Sequence, residues 1–328
     1  MRIAVDAMGG DHAPHEVVAG ALDAARHNKA IEVILVGDET SIRREFDQQG
    51  GAPGNVRVVH ASDVVGMTES PVEAIKKRPD TSILRTIQQM HEGHADACIA
   101  AGSTGAAVAA SMMTLSRLPG VRRPGIAVPF PARNRHGVCL LLDVGANPNC
   151  RPVHLAQYAV MGASYFRAMF DEAEPRVALV SIGEEESKGT ELVKNAARVM
   201  RKEPLNFVGN VEGRDLFGGA CEVAVTDGFV GNIILKAAEG FAEVLLGIVG
   251  ELADSNPAML KDLARRVDYA EFGGAPLLGI DGIVLICHGR SDRRAIANAV
   301  RAAAKAVTLD INAHIVAGLT EERAGART

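Results

Sequence analysis

Short runs of β-branched and other apolar residues alternate along the chain with longer stretches whose apolar positions recur at helical spacing. The runs Ile3–Val5, Val33–Val36, Val56–Val59, Ala97–Ala100, Val138–Leu142, Val177–Val180, Val223–Val225 and Ile283–Ile286 are predicted as strands. Near-continuous apolar strands that each lead into a helical pattern specify an α/β fold, a largely parallel sheet covered by helices on both faces. No repeat, low-complexity tract or Pro/Ser-rich linker marks a boundary, so residues 1–328 are expected to form a single domain.

One stretch leaves this rhythm. At about residues 229–270 two helical patterns follow each other, separated by Asp254-Ser255-Asn256-Pro257, which predicts a helical hairpin with Ser255 or Asn256 capping its second arm. In the first arm Phe241, Val244, Leu245, Ile248, Val249 and Leu252 form an apolar stripe that something must cover, either the rest of the domain, a partner subunit or a membrane surface.

Most strands end in Gly, Asp or Ser clusters: residues 6–12 (DAMGGDH), 100–106 (AAGSTGA), 143–149 (DVGANPN), 181–190 (SIGEEESKGT), 226–232 (TDGFVGN) and 287–292 (CHGRSD). Ligands of open parallel sheets bind beyond the carboxyl ends of strands, so these loops are the candidate site.

Composition narrows the function classes. A formal charge of -5 with no basic run, together with 4% aromatic residues and no tryptophan, excludes a nucleic-acid partner. The five cysteines form no CxxC pair and no zinc spacing, so neither a disulfide framework nor a metal is expected. The N-terminus lacks the apolar core of a signal peptide, and the uncharged run Ala97–Ser116 is too rich in Gly and Ser for a membrane span; a cytoplasmic protein is expected.

Familiar motifs fail on their chemistry. No strand precedes GxGxxG. GEEESKGT at residues 183–190 transposes the lysine and glycine of a P-loop, and Glu184, Glu185 and Glu186 would repel a triphosphate. HExxH and GxSxG are absent. Cys287 and His288, as neighbours in extended backbone, point to opposite faces, which leaves Cys287 a buried inert thiol.

What remains are polar glycine loops able to present backbone N–H groups at helix starts, the way a phosphate is held without a metal. The candidates are Gly102, Ser103, Thr104 and Gly105, and the turn from Gly228 to Asn232. Lys188 adds a point charge suited to a phosphate or an oxyanion. His12, His15 and His288 are possible proton carriers, and Asp6, Asp11, Asp143 and Asp227 can cap helices or orient such groups.

In order along the chain, DAMGGDHAP, AAGSTGA, LLDVGAN, IGEEESKGT, NVEGRD, TDGFVGNIILK, FGGAPLLGIDG and HGRSD resemble the bacterial phosphate acyltransferases of phospholipid synthesis, from Arg2 to about Leu319. Ser103 stands where many relatives carry Asn, and Asn149 where many carry Asp. The resemblance implies a Rossmann-like fold similar to isocitrate and isopropylmalate dehydrogenases and phosphotransacetylases. It further implies a cytoplasmic homodimer touching the inner face of the cell membrane, with Phe241, Leu245, Ile248 and Val249 in membrane or dimer contact.

The implied reaction moves a fatty acyl group from acyl carrier protein to inorganic phosphate, without a cofactor, giving acyl phosphate for a downstream glycerol-3-phosphate acyltransferase. On this reading Lys188 and the amides and side chain around Gly228 to Asn232 stabilise the oxyanion, and His288 protonates the leaving thiolate. Arg122, Arg123, Arg265 and Arg266 are the basic candidates for the acidic carrier. Two rival readings stay open: a metal-dependent decarboxylating dehydrogenase with Asp227 on Mg²⁺, and a non-catalytic phosphate- or acyl-lipid-binding protein.

Overall fold

The computed structural model describes residues 1–66, 68–252 and 273–325. In chain order the elements are β1 (Arg2–Asp6), α1 (His15–His27), β2 (Glu32–Gly37), α2 (Glu39–Gln48), β3 (Val56–His60), α3 (Pro71–Lys77), α4 (Ser82–His91), β4 (Ala97–Ala100) and α5 (Thr104–Thr114). There follow β5 (Gly125–Pro131), β6 (Val138–Leu142), α6 (Pro152–Phe170), β7 (Val177–Val180), α7 (Glu191–Met200), β8 (Phe207–Val211), α8 (Gly213–Gly218) and β9 (Val223–Val225). The last are α9 (Gly228–Leu252), β10 (Ala275–Leu278), β11 (Val284–Ile286), α10 (Arg293–Thr308) and α11 (Ile311–Gly325).

Although the sequence offers no linker, the chain divides into two compact units, the first from residues 1–119 and 272–312, the second from residues 120–271 and 313–328. In the first unit the strand order is β3-β2-β1-β4-β11-β10, parallel except for the antiparallel pair β10–β11. Ile3, Val5, Val33 and Leu35 share a face and pack with Val18 and Leu22 of α1 and Ile296 and Val300 of α10. Those two helices meet at Gly20, where a Cβ would collide with the Arg293 carbonyl oxygen and Ile296. A full apolar contact therefore forms only because the side chain is missing there. Helix α4 lies against β1 and β2 on the opposite face.

The second unit has the order β5-β6-β9-β7-β8, again parallel apart from one antiparallel pair, β5–β6. Its core is the buried run Val138–Leu142 against α6, whose first four turns are buried almost all round. All eight predicted strands form, within a residue or so of their expected ends.

The sequence pattern missed three strands. β5 contains Pro129 and Pro131, which reads as a break, yet these residues oppose Leu140 and Val138 in the antiparallel pair with β6. β8 is an edge strand interrupted by Gly209 at φ +99°, with a register irregularity opposite Val177 and Ala178. β10 is four residues long and carries Pro276. Of the expected hairpin, the first arm is the 25-residue helix α9, and the second arm falls outside the described residues, as do Arg265 and Arg266.

Candidate functional site

Within the first unit three of the glycine loops converge at the carboxyl ends of β1, β4 and β11. The Asp11 N–H donates to the Gly289 carbonyl at 2.7 Å. A Cβ on Gly10 would stand 3.0 Å from the Ala101 and Gly289 carbonyl oxygens, and Gly10 sits at φ +106°, so both space and conformation demand glycine. A Cβ on Gly9 would lie 2.8 Å from the Gly102 amide nitrogen. The loops are thus stacked backbone on backbone, which is what their glycines provide.

From this stack α5 begins. Ser103 is its N-cap, with Oγ accepting from the Ala106 N–H at 3.4 Å. The next two residues, Thr104 and Gly105, are exposed, and their N–H groups have no acceptor among the described residues. Two open donors at the positive end of an eleven-residue helix suit an anion.

His288 is half-buried in the 287–292 loop, whose Cys287 N–H donates to the Ala100 carbonyl at 2.7 Å; its Nδ1 accepts the Arg290 N–H at 3.1 Å. That bond selects the neutral tautomer with its proton on Nε2, the form able to donate. Burial pushes the Cys287 thiol up to about 12, leaving it inert as expected. Asp6 is buried at the end of β1 and accepts the Met8 N–H at 3.2 Å; burial raises its carboxyl to about 6. His15 is tied to Glu45 at 2.8 Å, a structural pair away from these loops, and His12 is exposed.

The other three loops lie in the second unit. Asp143 is fully buried, and its carboxylate accepts the N–H groups of Ile126 at 3.0 Å, Gly145 at 3.1 Å, Ala146 at 3.0 Å and Asn147 at 2.7 Å. Burial raises its pKa, and those four amides oppose the rise. Asp143 therefore shapes the 143–149 loop from inside.

Against this loop sits the start of α9, and here the expected amide cradle needs correction. The Gly228 N–H donates to the Asn147 carbonyl at 2.9 Å, and Asp227 Oδ1 accepts both the Phe229 and Val230 N–H groups at 3.0 Å. The Gly231 N–H returns to the Asp227 carbonyl at 2.9 Å. All four leading amides are spent inside the protein: Asp227 takes three, two of them on the carboxylate that stands where an anion would, and the Asn147 carbonyl takes the fourth. What this turn presents outward is the exposed side chain of Asn232, whose Nδ2 stands 3.6 Å from the place a Gly145 Cβ would occupy.

Lys188 is exposed in the 181–190 loop, its stem packed over Gly183, and its ammonium has no ion-pair partner among the described residues. Asn210 Nδ2 holds this loop through the Glu185 carbonyl at 3.0 Å, and Thr190 caps the following helix by accepting from the Val193 N–H at 3.3 Å.

A cleft of about 380 Å³ joins the first turns of α7 and α9, lined by Asn149, Cys150, Leu192, Asp227, Phe229 and Val230. Sequence reasoning overlooked Cys150 and Leu192; they lie outside glycine-rich motifs, and only the packing of α7 beside α9 brings them together. Burial pushes the Cys150 thiol up to about 11, so it is protonated at neutral pH and no nucleophile. Also overlooked was His154; the phrase RPVH at the start of α6 carried its only signal.

Farther along α9, Phe241, Val244 and Ile248 are 69%, 61% and 50% exposed, while Leu245 and Val249 are half-buried to one side. The outward face of the predicted stripe is thus narrower than the sequence implied. Among the described residues no helix is long and apolar enough to cross a membrane.

Over residues 1–314 the chain matches the family described as "Fatty acid synthesis protein". It is 50% identical to the phosphate acyltransferase of Desulforamulus reducens over 94% of each chain, and 48% identical to that of Myxococcus xanthus over 92% of this chain and 89% of the relative. Among solved structures it is similar to a phosphotransacetylase from Streptococcus pyogenes, with a TM-score of 0.64, 18% identity and 94% of each chain covered. It is also similar to a branched-chain phosphotransacylase from Enterococcus faecalis, with a TM-score of 0.59, 15% identity, and 94% of this chain and 99% of that one covered.

Proposed function

The chain belongs to the phosphate acyltransferase family and is an acyltransferase of fatty acid and phospholipid synthesis, and from that premise we propose that it transfers a fatty acyl group from acyl carrier protein to inorganic phosphate. The phosphate oxygen forms a bond to the thioester carbonyl carbon, the C–S bond breaks, and the sulfur leaves as a thiol after gaining one proton. Phosphate is a competent nucleophile at neutral pH and a thioester is an activated donor, so the protein has to orient the two and stabilise the oxyanion. Nothing in this scheme calls for a covalent acyl-enzyme, and the protonated Cys150 and Cys287 fit that.

The single observation that carries the reading is the pair of open, exposed amides of Thr104 and Gly105 at the start of α5, where the glycine loops stack. We assign phosphate to this Gly102–Gly105 turn, and to His288 a hydrogen bond from its Nε2–H to the departing sulfur, the proton that the sulfur gains being the one the phosphate loses. In the second unit, Lys188 and the Asn232 amide supply the outward-facing donors, in place of the amides that Asp227 consumes. Asp6, Asp11, Asp143 and Asp227 position these loops. Phe241 and Ile248, joined by Val244, form the face for membrane or dimer contact, with Leu245 and Val249 supporting it. The setting is the inner face of the cell membrane, where a glycerol-3-phosphate acyltransferase would consume the product.

The test is thiol release from palmitoyl carrier protein with and without orthophosphate. Phosphate-dependent release, matched one for one by acyl phosphate, is expected; release that ignores phosphate, or NAD reduction with a hydroxy acid, would overturn it.

A further inference from the structure

The start of α6 gathers a second cationic centre that the reaction scheme above leaves unused. His154 occupies the third position of this nineteen-residue helix and is 3% exposed. Its ring folds back over the helix start, with Nδ1 accepting the Arg151 N–H at 3.2 Å. The neutral ring therefore carries its proton on Nε2, and that buried nitrogen has no hydrogen-bond partner among the described residues.

The segment that precedes β5 is pinned to the same side of the helix. The Arg122 N–H donates to Gln157 Oε1 at 2.9 Å, and Gln157 Nε2 donates to the Gly120 carbonyl at 2.9 Å. One residue on, the Tyr158 hydroxyl donates to the Pro124 carbonyl at 3.5 Å. His154, Gln157 and Tyr158 lie three and four residues apart, one face of a helix, so these bonds bring Arg122 and Arg123 beside the His154 turn. Burial first, then the charges of Arg151, Arg123 and Arg122, hold the His154 imidazole below its ordinary range. Arg123 and Arg151 are exposed, and their guanidinium groups meet no carboxylate among the described residues.

We propose that Arg122, Arg123 and Arg151, with the start of α6 and His154, seat a phosphate ester carried by the acyl donor, distinct from the inorganic phosphate that the reaction consumes. This rests on the proposed reaction, in which the thioester is borne on a pantetheine arm joined to its carrier protein through a phosphate diester. The focal geometry selects phosphate. Two exposed guanidinium forks that meet no carboxylate, the Val153 N–H, which has no acceptor among the described residues, and one buried N–H donor lie on this turn and the segment pinned to it, which matches a compact group with several acceptor oxygens better than carboxylates spread along an acidic helix. The centre also adjoins the 143–149 loop, since Asn147 Nδ2 donates to the Pro124 carbonyl at 2.5 Å and to the Tyr158 hydroxyl at 2.8 Å. An arm anchored here is held next to the loop that Asp143 shapes.

The experiment compares the full chain with Arg123→Gln/Arg151→Gln, both exposed sites, checking that the two proteins unfold at the same temperature. Loss of two charge-assisted contacts should raise the KM for acyl carrier thioester roughly 10- to 100-fold. The KM for orthophosphate and kcat should stay within about twofold, and Arg151→Lys, which keeps the charge without the fork, should fall between. Titration with carrier protein bearing its arm should weaken by the same factor, while the protein stripped of its arm binds both enzymes equally. An unchanged donor KM, or a raised KM for orthophosphate instead, overturns the proposal. Equal weakening for the armed and stripped carriers also overturns it, assigning the arginines to the acidic protein surface. If the unaltered enzyme makes no acyl phosphate at all, it is the underlying reaction that falls, a result the donor-binding titration keeps separate.

Discussion

The Cα of Gly231 is pressed against the Asp143 carbonyl oxygen so closely that a Cβ on residue 231 would fall on that oxygen. The obstacle is backbone on one side and helix on the other, and neither can swing away as a side-chain tip could. Gly231→Ala should therefore push α9 off the 143–149 loop, costing about 1–3 kcal/mol of stability and displacing Asn232 with it. Gly240, on the same helix, has open space where its Cβ would go. Gly240→Ala should hold or gain up to about 1 kcal/mol from helix propensity. Urea unfolding midpoints of the two variants check this; equal midpoints would mean that the contact is not tight.

Asp6 gives stability a pH dependence of its own. Burial lifts its carboxyl from the ordinary 3.8 to about 6, so the folded protein keeps a proton that the unfolded chain has already released. The contribution is complete below about pH 4 and is lost as pH rises to about 6, on the order of 3 kcal/mol in all. Asp6→Asn cannot titrate. The stability difference between wild type and variant should slope over that window and flatten above it; parallel curves would assign the slope to another group.

Lys188 is exposed and unpaired with any carboxylate among the described residues, so truncating it leaves the fold intact. As an oxyanion or phosphate donor its loss should lower kcat by about 100-fold or more. Near-normal acyl phosphate formation by Lys188→Ala, with unaltered thermal unfolding, would remove it from the chemistry.

Much of the fold was legible because buried parallel strands leave continuous apolar runs, as Val138–Leu142 and Val33–Val36 do, and glycine clusters mark their ends. β5 was hidden because Pro129 normally argues against a strand. The candidate loops were equally legible, but not their hydrogen bonds. Nothing in TDGFVGN tells that Asp227 turns its carboxylate onto Phe229 and Val230, whereas in AGSTGA the cap Ser103 leaves Thr104 and Gly105 open. His154 was illegible because its orphaned nitrogen depends on burial, and its cationic surroundings on Gln157 holding the Arg122 N–H, contacts distant in sequence.

The exposed face of α9 supplies the last expectation. Phe241, Val244 and Ile248 stand three and four residues apart and are each at least half exposed, an arrangement that loses free energy in water and gains it against lipid or a second apolar face. Val244 lies at the centre and contributes little to the core, so Val244→Asp should leave thermal unfolding unchanged. Removing a valine that the contact would bury and inserting a charge there should weaken the contact by about tenfold or more. Co-sedimentation with anionic vesicles reads the lipid arm, and analytical ultracentrifugation across protein concentrations reads the dimer arm. A fall in the first alone assigns the face to the membrane, and a fall in the second alone assigns it to the partner subunit. If neither moves, the stripe is a bare surface and the membrane and dimer roles must lie elsewhere on the chain.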